Sequence, residues 1–140
     1  MDINKIIKLY KSFPKYQQNS YSDLFYHILP SLQANQFKIF EDISGVYGFV
    51  SWAYLNKDVE ESYKKKGLIY KNECNCGVNL WIYDIVSIRK TKEVASWIVK
   101  YCLSKIKNDE CFSWIRLNKN NEIYRISKKY KRDYHKSWVQ

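Results

Sequence analysis

The sequence predicts an α+β domain, a mixed sheet with flanking helices, occupying residues 1–140 as a single unit. Three observations predict it. Some segments space their apolar residues as one helical face, whereas others are continuous β-branched and aromatic runs. The two kinds follow one another in the order helix, helix, strand, strand, helix, strand, helix, strand, strand. Hydrophobic residues make up 46% of the chain, against four Gly and two Pro, so a core is available and little of the chain is left for linkers.

Residues 2–11 read as a short amphipathic helix, broken by Ser12-Phe13-Pro14. Ser20 or Ser22 can N-cap a second helix to about Gln33, with Leu24, Phe25, Ile28, Leu29 and Leu32 on one side and Pro30 kinking its last turn. Phe37–Glu41 is a strand, Ile43-Ser44-Gly45 a turn, and Val46–Leu55 a second strand with both faces buried. Asn56 caps a charged helix over Lys57–Lys66, which Gly67 stops. Residues 68–78 carry no clear periodicity. A strand follows from Leu80 to Ile88, and Thr91 caps a helix over Lys92–Lys107 whose Val94, Ile98, Cys102 and Ile106 lie on one apolar face. Ser113–Leu117 and Glu122–Ser127 pair across a turn at Asn118–Asn121. This element order matches the general layout of the GCN5-type acetyltransferase fold.

The net charge of +10 favours an acidic partner: nucleic acid, anionic membrane or an acidic carrier protein. The segment Lys119–Lys136 interleaves basic residues with Tyr124, Tyr130 and Tyr134, yet carries no RNA-binding motif, and it reads as a solvated face. Met1–Tyr10 mixes charged and apolar residues unlike a secretory leader, and no apolar run approaches a membrane span. A cytoplasmic protein with reduced cysteines is the expectation.

Few residues have the makings of a chemical site. Cys74-Asn75-Cys76 is a CxC rather than a CxxC, and Cys102 and Cys111 belong to a helix face and a strand, so the thiols read as loop and core residues and no metal is expected. His27 reads as a half-buried packing residue and His135 as solvated. Asp84 differs. It interrupts Leu80-Trp81-Ile82-Tyr83-Asp84-Ile85-Val86, and a carboxylate in such a strand must be paired, neutral or functional. There is no Gly-rich phosphate loop and no nucleophile elbow.

Four ordered segments resemble the acyltransferases that activate RTX (repeats-in-toxin) protoxins. They are Leu29-Pro30-Ser31-Leu32-Gln33-Ala34-Asn35-Gln36, Ser51-Trp52-Ala53-Tyr54-Leu55, Trp81-Ile82-Tyr83-Asp84, and Ile115-Arg116-Leu117 followed by Ile126-Ser127. The resemblance implies a GCN5-like fold. It also implies transfer of a fatty acyl group from acyl carrier protein to lysines of a protoxin, with no cofactor beyond the carrier-borne donor. Its catalytic pair is a His near the N-terminus and the Asp of Trp-x-x-Asp, which falls on Asp84. The His position falls on Tyr16, after Pro14. A tyrosine with a pKa of about 10 donates protons more readily than it accepts them at neutral pH. Three readings follow: Tyr16 does altered chemistry, His27 substitutes, or the activity is lost. The last fits a related branch that helps join a siderophore to a microcin peptide alongside a partner enzyme. In a GCN5-like layout Arg89, Lys90 and Lys92, just before the strongest helix, face the acyl carrier and offer an anion site. The expected partners also include a partner enzyme or a second copy of the chain.

Overall fold

In the computed structural model, which describes residues 2–134, the predicted elements are all present and build one five-stranded sheet. Four helices, α1 (Ile3–Lys11), α2 (Tyr21–Gln33), α3 (Lys57–Lys66) and α4 (Thr91–Ser104), flank strands β1 (Phe37–Asp42), β2 (Gly45–Leu55), β3 (Asn79–Ser87), β4 (Cys111–Leu117) and β5 (Ile123–Tyr130). The strands lie in chain order. Neighbours are antiparallel except β3 and β4, which α4 joins as a crossover and which therefore run parallel. This is an α+β mixed sheet consistent with a GCN5-like fold.

The helices divide between the two faces. Val94, Ile98, Cys102 and Leu103 of α4 pack on Phe40, Val50, Trp52, Ile82 and Phe112. On the other face Ile6, Leu9 and Tyr10 of α1 and Leu24 and Ile28 of α2 cover Phe49 and Val86, and Tyr63 of α3 covers Ala53, Leu55 and Trp81. β2 lies between both layers, which explains its unbroken apolar run.

Local signals set most boundaries. Ser20, and not Ser22, is the N-cap of α2, and it forms a full capping box with Asp23. Asn56 caps α3 through the N–H of Val59, and Gly67 closes it at φ +68°, a conformation glycine adopts without cost. Residues 68–78 hold a single 3₁₀ turn, Lys71–Glu73, and one bridge from Asn75 to Tyr54.

Four boundary expectations are corrected. Thr91 is the first residue of α4 and not its cap; Lys90 holds that place in the left-handed region at φ +53°, with no side-chain cap bond. Lys90 instead reaches Asp42, which holds the turn in place of a cap. The helix stops at Ser104, although Ile106 beyond it is still buried. β4 starts at Cys111, two residues before Ser113. β5 runs on to Tyr130 because Lys128, Lys129 and Tyr130 pair with Ser113, Phe112 and Cys111. Lysines suit an edge strand, where one side meets water. His135 lies outside the described residues. No helix among the described residues is long and apolar enough to cross a membrane.

Candidate active site

Asp84 owes its position to a bulge in β3. Ser51 of β2 pairs with Asp84 and Trp52 pairs with Ile82, so Tyr83 is one residue too many for its partner strand. Strict alternation from Trp81 would send Asp84 to the α4 side. The extra residue turns it instead toward α1 and α2, beside Tyr83. Ser51 itself is buried, and its hydroxyl has no hydrogen-bond partner among the described residues.

Asp84 is 7% exposed, and three side chains from the N-terminal helices meet it. The Tyr10 hydroxyl donates to Oδ2 at 2.7 Å and the Tyr16 hydroxyl donates to Oδ1 at 2.9 Å. His27 Nε2 lies 2.6 Å from Oδ2. Tyr10 comes from the buried face of α1, Tyr16 from the 3₁₀ turn Pro14–Tyr16, and His27 from the second turn of α2. Three aromatic rings surround the imidazole: Tyr83 at 5.3 Å, Tyr16 at 5.7 Å and Tyr10 at 6.0 Å between centroids.

Protonation follows from the contacts. Burial works to raise the Asp84 pKa, but the His27 charge and the hydrogen bonds from His27, Tyr10 and Tyr16 outweigh it, so the carboxyl stays below its ordinary value and ionised. Burial likewise works to lower the pKa of His27, and the charge and hydrogen bond of Asp84 prevail and raise it. Tyr10 and Tyr16 are both pushed far up, first by burial and then by the Asp84 charge, so both remain protonated donors. A carboxylate only accepts, so Nε2 carries hydrogen and the lone pair of a neutral His27 is on Nδ1. Nδ1 has no hydrogen-bond partner among the described residues, and the side chain is 23% exposed.

A cavity of about 390 Å³ opens beside this cluster, with mostly apolar walls that include Leu24, Trp52, Leu68, Ile69 and Cys74. Its size falls within the range of small-molecule sites. Tyr16, His27 and Tyr83 line both this cavity and a second one of about 280 Å³, whose walls include Asp84.

Asp84 and Tyr16, singled out in the sequence, are thus in direct contact. His27, a packing residue by its sequence neighbours and one of the readings for the missing His, joins them, and no sequence signal marks Tyr10. The helical spacing of Tyr10 among Ile6, Ile7 and Leu9 gives no sign that its hydroxyl crosses to β3. Arg89, Lys90 and Lys92 are not part of this cluster. Arg89 grips Asp42 with both terminal nitrogens and stacks on the Tyr47 ring at 4.7 Å, and Lys90 reaches the same carboxylate at 2.9 Å. Two of these three cations thus share one internal carboxylate, and Lys92 is exposed. Among the described residues no three His, Cys, Asp or Glu side chains converge as metal ligands.

The model of the RTX toxin acyltransferase family matches residues 3–131, nearly the whole chain. No curated protein matches the sequence significantly.

Proposed function

The chain belongs to the RTX toxin acyltransferase family, and on that premise we propose that it moves an acyl group from acyl carrier protein to the ε-amine of a lysine in a protoxin, with His27 as general base. The observation that carries this reading is the contact of His27 Nε2 with a buried, ionised Asp84. It supplies the imidazole–carboxylate pair that acyl transfer to an amine needs, although Tyr16 occupies the position where the sequence motif has its histidine. Asp84 acts through His27: it fixes the ring and the tautomer, and it stabilises the imidazolium.

The chemistry balances on these groups. The lysine nitrogen attacks the thioester carbonyl, a C–N bond forms and the C–S bond breaks. Nδ1 takes the proton that the nitrogen must lose, and the imidazolium returns it to the departing thiolate. Tyr10 and Tyr16 hold the carboxylate in place, since their raised pKa values rule them out as bases. The apolar cavity on the α2 side suits a hydrocarbon chain, because each methylene removed from water contributes about 0.8 kcal/mol.

Carrier docking at Arg89, Lys90 and Lys92 belongs to the same proposal in its simplest form, as does a cytoplasmic site of action. The alternative, an accessory subunit for attaching a siderophore to a microcin peptide, draws on Tyr16 alone, and the His27–Asp84 contact favours the enzyme. The test is to mix the protein with fatty-acyl carrier protein and an RTX protoxin and follow intact masses. Loss of the thioester with a hydroxylamine-stable acyl adduct on a lysine supports the reading. A stable thioester and an unmodified protoxin refute it.

A further inference from the structure

At one end of the sheet lies β5, and β4 is its only strand partner among the described residues. Its outer edge therefore presents backbone N–H and C=O groups with no ladder to join. The side chains along this edge are cationic. Arg125 and Lys128 are exposed, and the Lys129 ammonium stands 5.5 Å from the centre of the Tyr134 ring. Arg125 also lies directly opposite Arg116 of β4, which is exposed as well. Like charges in that relation repel and weaken a sheet. Neither arginine is ion-paired among the described residues, and residues 135–140 contain no Asp or Glu. Arg116 is nonetheless held in place. Its Nε donates to Ser127 Oγ at 2.6 Å, and its guanidinium lies 5.6 Å from the centre of the Trp114 ring. A fixed pair of like charges without a counter-ion calls for an anion from outside.

We propose that the outer edge of β5 takes an acidic, extended segment of the acceptor polypeptide as an added strand, with one carboxylate at the Arg116–Arg125 pair and a second further along at Lys129. This rests on the acyltransferase reading and adds to it how the acceptor is held. An added strand satisfies the free edge through its main chain, and the side chains beside it set the specificity. Alternate residues of a strand share a face, so Arg125 and Lys129 present their charges to the same side of the added strand. Other anions fit less well. A nucleic acid meets the cations but offers no ladder to the edge. A second copy of the chain brings the same cations to the contact and is repelled. The course of β5 favours the acceptor: Ile123, at its head, lines the cavity whose walls include His27 and Asp84. One end of the added strand thus comes near the site, where the adjoining residues of the acceptor can present a lysine.

The test follows fluorescence anisotropy of a labelled peptide that alternates threonine with glutamate, added to the full chain. Three comparisons accompany it: the same peptide with methylated backbone nitrogens, a single-stranded oligonucleotide of equal charge, and the variant Arg125→Glu. The wild type should bind the plain peptide at least about tenfold more tightly than the methylated one, and Arg125→Glu should lose at least about tenfold in affinity for it. Arg125→Glu should also raise the thermal midpoint by about 1–4 °C, because it turns a repelling pair into an attracting one. A lower midpoint would show that the arginine serves the fold, and would overturn the assignment. So would a wild type that ignores the peptide, an affinity that methylation leaves unchanged, or an oligonucleotide that binds more tightly than the peptide. The transfer assay separates this idea from the enzyme reading. Arg125→Glu should raise the KM for the protoxin at unchanged kcat. Transfer with an unchanged KM removes the acceptor site and keeps the enzyme. A protein that binds the peptide through this edge and transfers nothing keeps the edge site and removes the enzyme.

Discussion

Asp84 gathers the chemistry at the residue scale, because one buried carboxylate accepts from Tyr10, Tyr16 and His27. Asp84→Asn leaves one of these donors facing an amide hydrogen. It should cost about 1–3 kcal/mol in a denaturation midpoint, the usual penalty for a buried unsatisfied group, and should remove transfer activity. Tyr16→Phe is the finer test. With one donor gone, the Asp84 charge bears more fully on His27, whose pKa already stands above its ordinary 6.5. The basic nitrogen must be free for catalysis, so the rising limb of kcat/KM should lie above pH 6.5 in the wild type and move to still higher pH in the variant. A tyrosine that only packed would change the rate and leave the limb in place. Stability follows the same signs. The share from the raised His27 is fully present below its ordinary pKa and is lost as pH rises through the folded value. The share from the lowered Asp84 is present above about pH 3.9 and is lost as pH falls through its folded value.

Elements stand or fall on caps and faces. Ser20 has a capping box and Thr91 has none. Ser20→Ala should cost about 1 kcal/mol in thermal unfolding, and Thr91→Ala less than about 0.5 kcal/mol. Equal losses would restore Thr91 as a cap. Ile98 is 6% exposed against the sheet, so Ile98→Ala should cost about 2–5 kcal/mol. The helices and strands were legible in the sequence because these signals are local: Asn56 and Gly67 bracket α3, and the apolar positions of α4 recur without a miss. The bulge at Tyr83 was not legible. It depends on how β3 registers against β2, and no residue type marks it. The early stop of α4 was hidden by Ile106, which stays buried after the helix has ended.

Across the whole molecule, long-range contacts make the site. Tyr10, Tyr16 and His27 lie 74, 68 and 57 residues from Asp84 in the chain. The sequence motif pointed to Asp84 and to position 16, yet it could not reveal that a histidine on the next helix reaches the same carboxylate. That fact follows from the packing of α1 and α2 on one face of the sheet and from the bulge that turns Asp84 toward them. The charge of +10 belongs to this scale as well, since it speeds the approach of an acidic partner without specifying where the partner docks. The central claim is that His27 serves as the base. The most direct measurement is the single-turnover rate of acyl transfer to the protoxin by the wild type and by His27→Gln, at saturating carrier protein and equal folded fraction. The claim predicts a loss of about 10²–10⁴-fold, the usual contribution of general-base catalysis. A His27→Gln protein that transfers within a few-fold of the wild-type rate would contradict it.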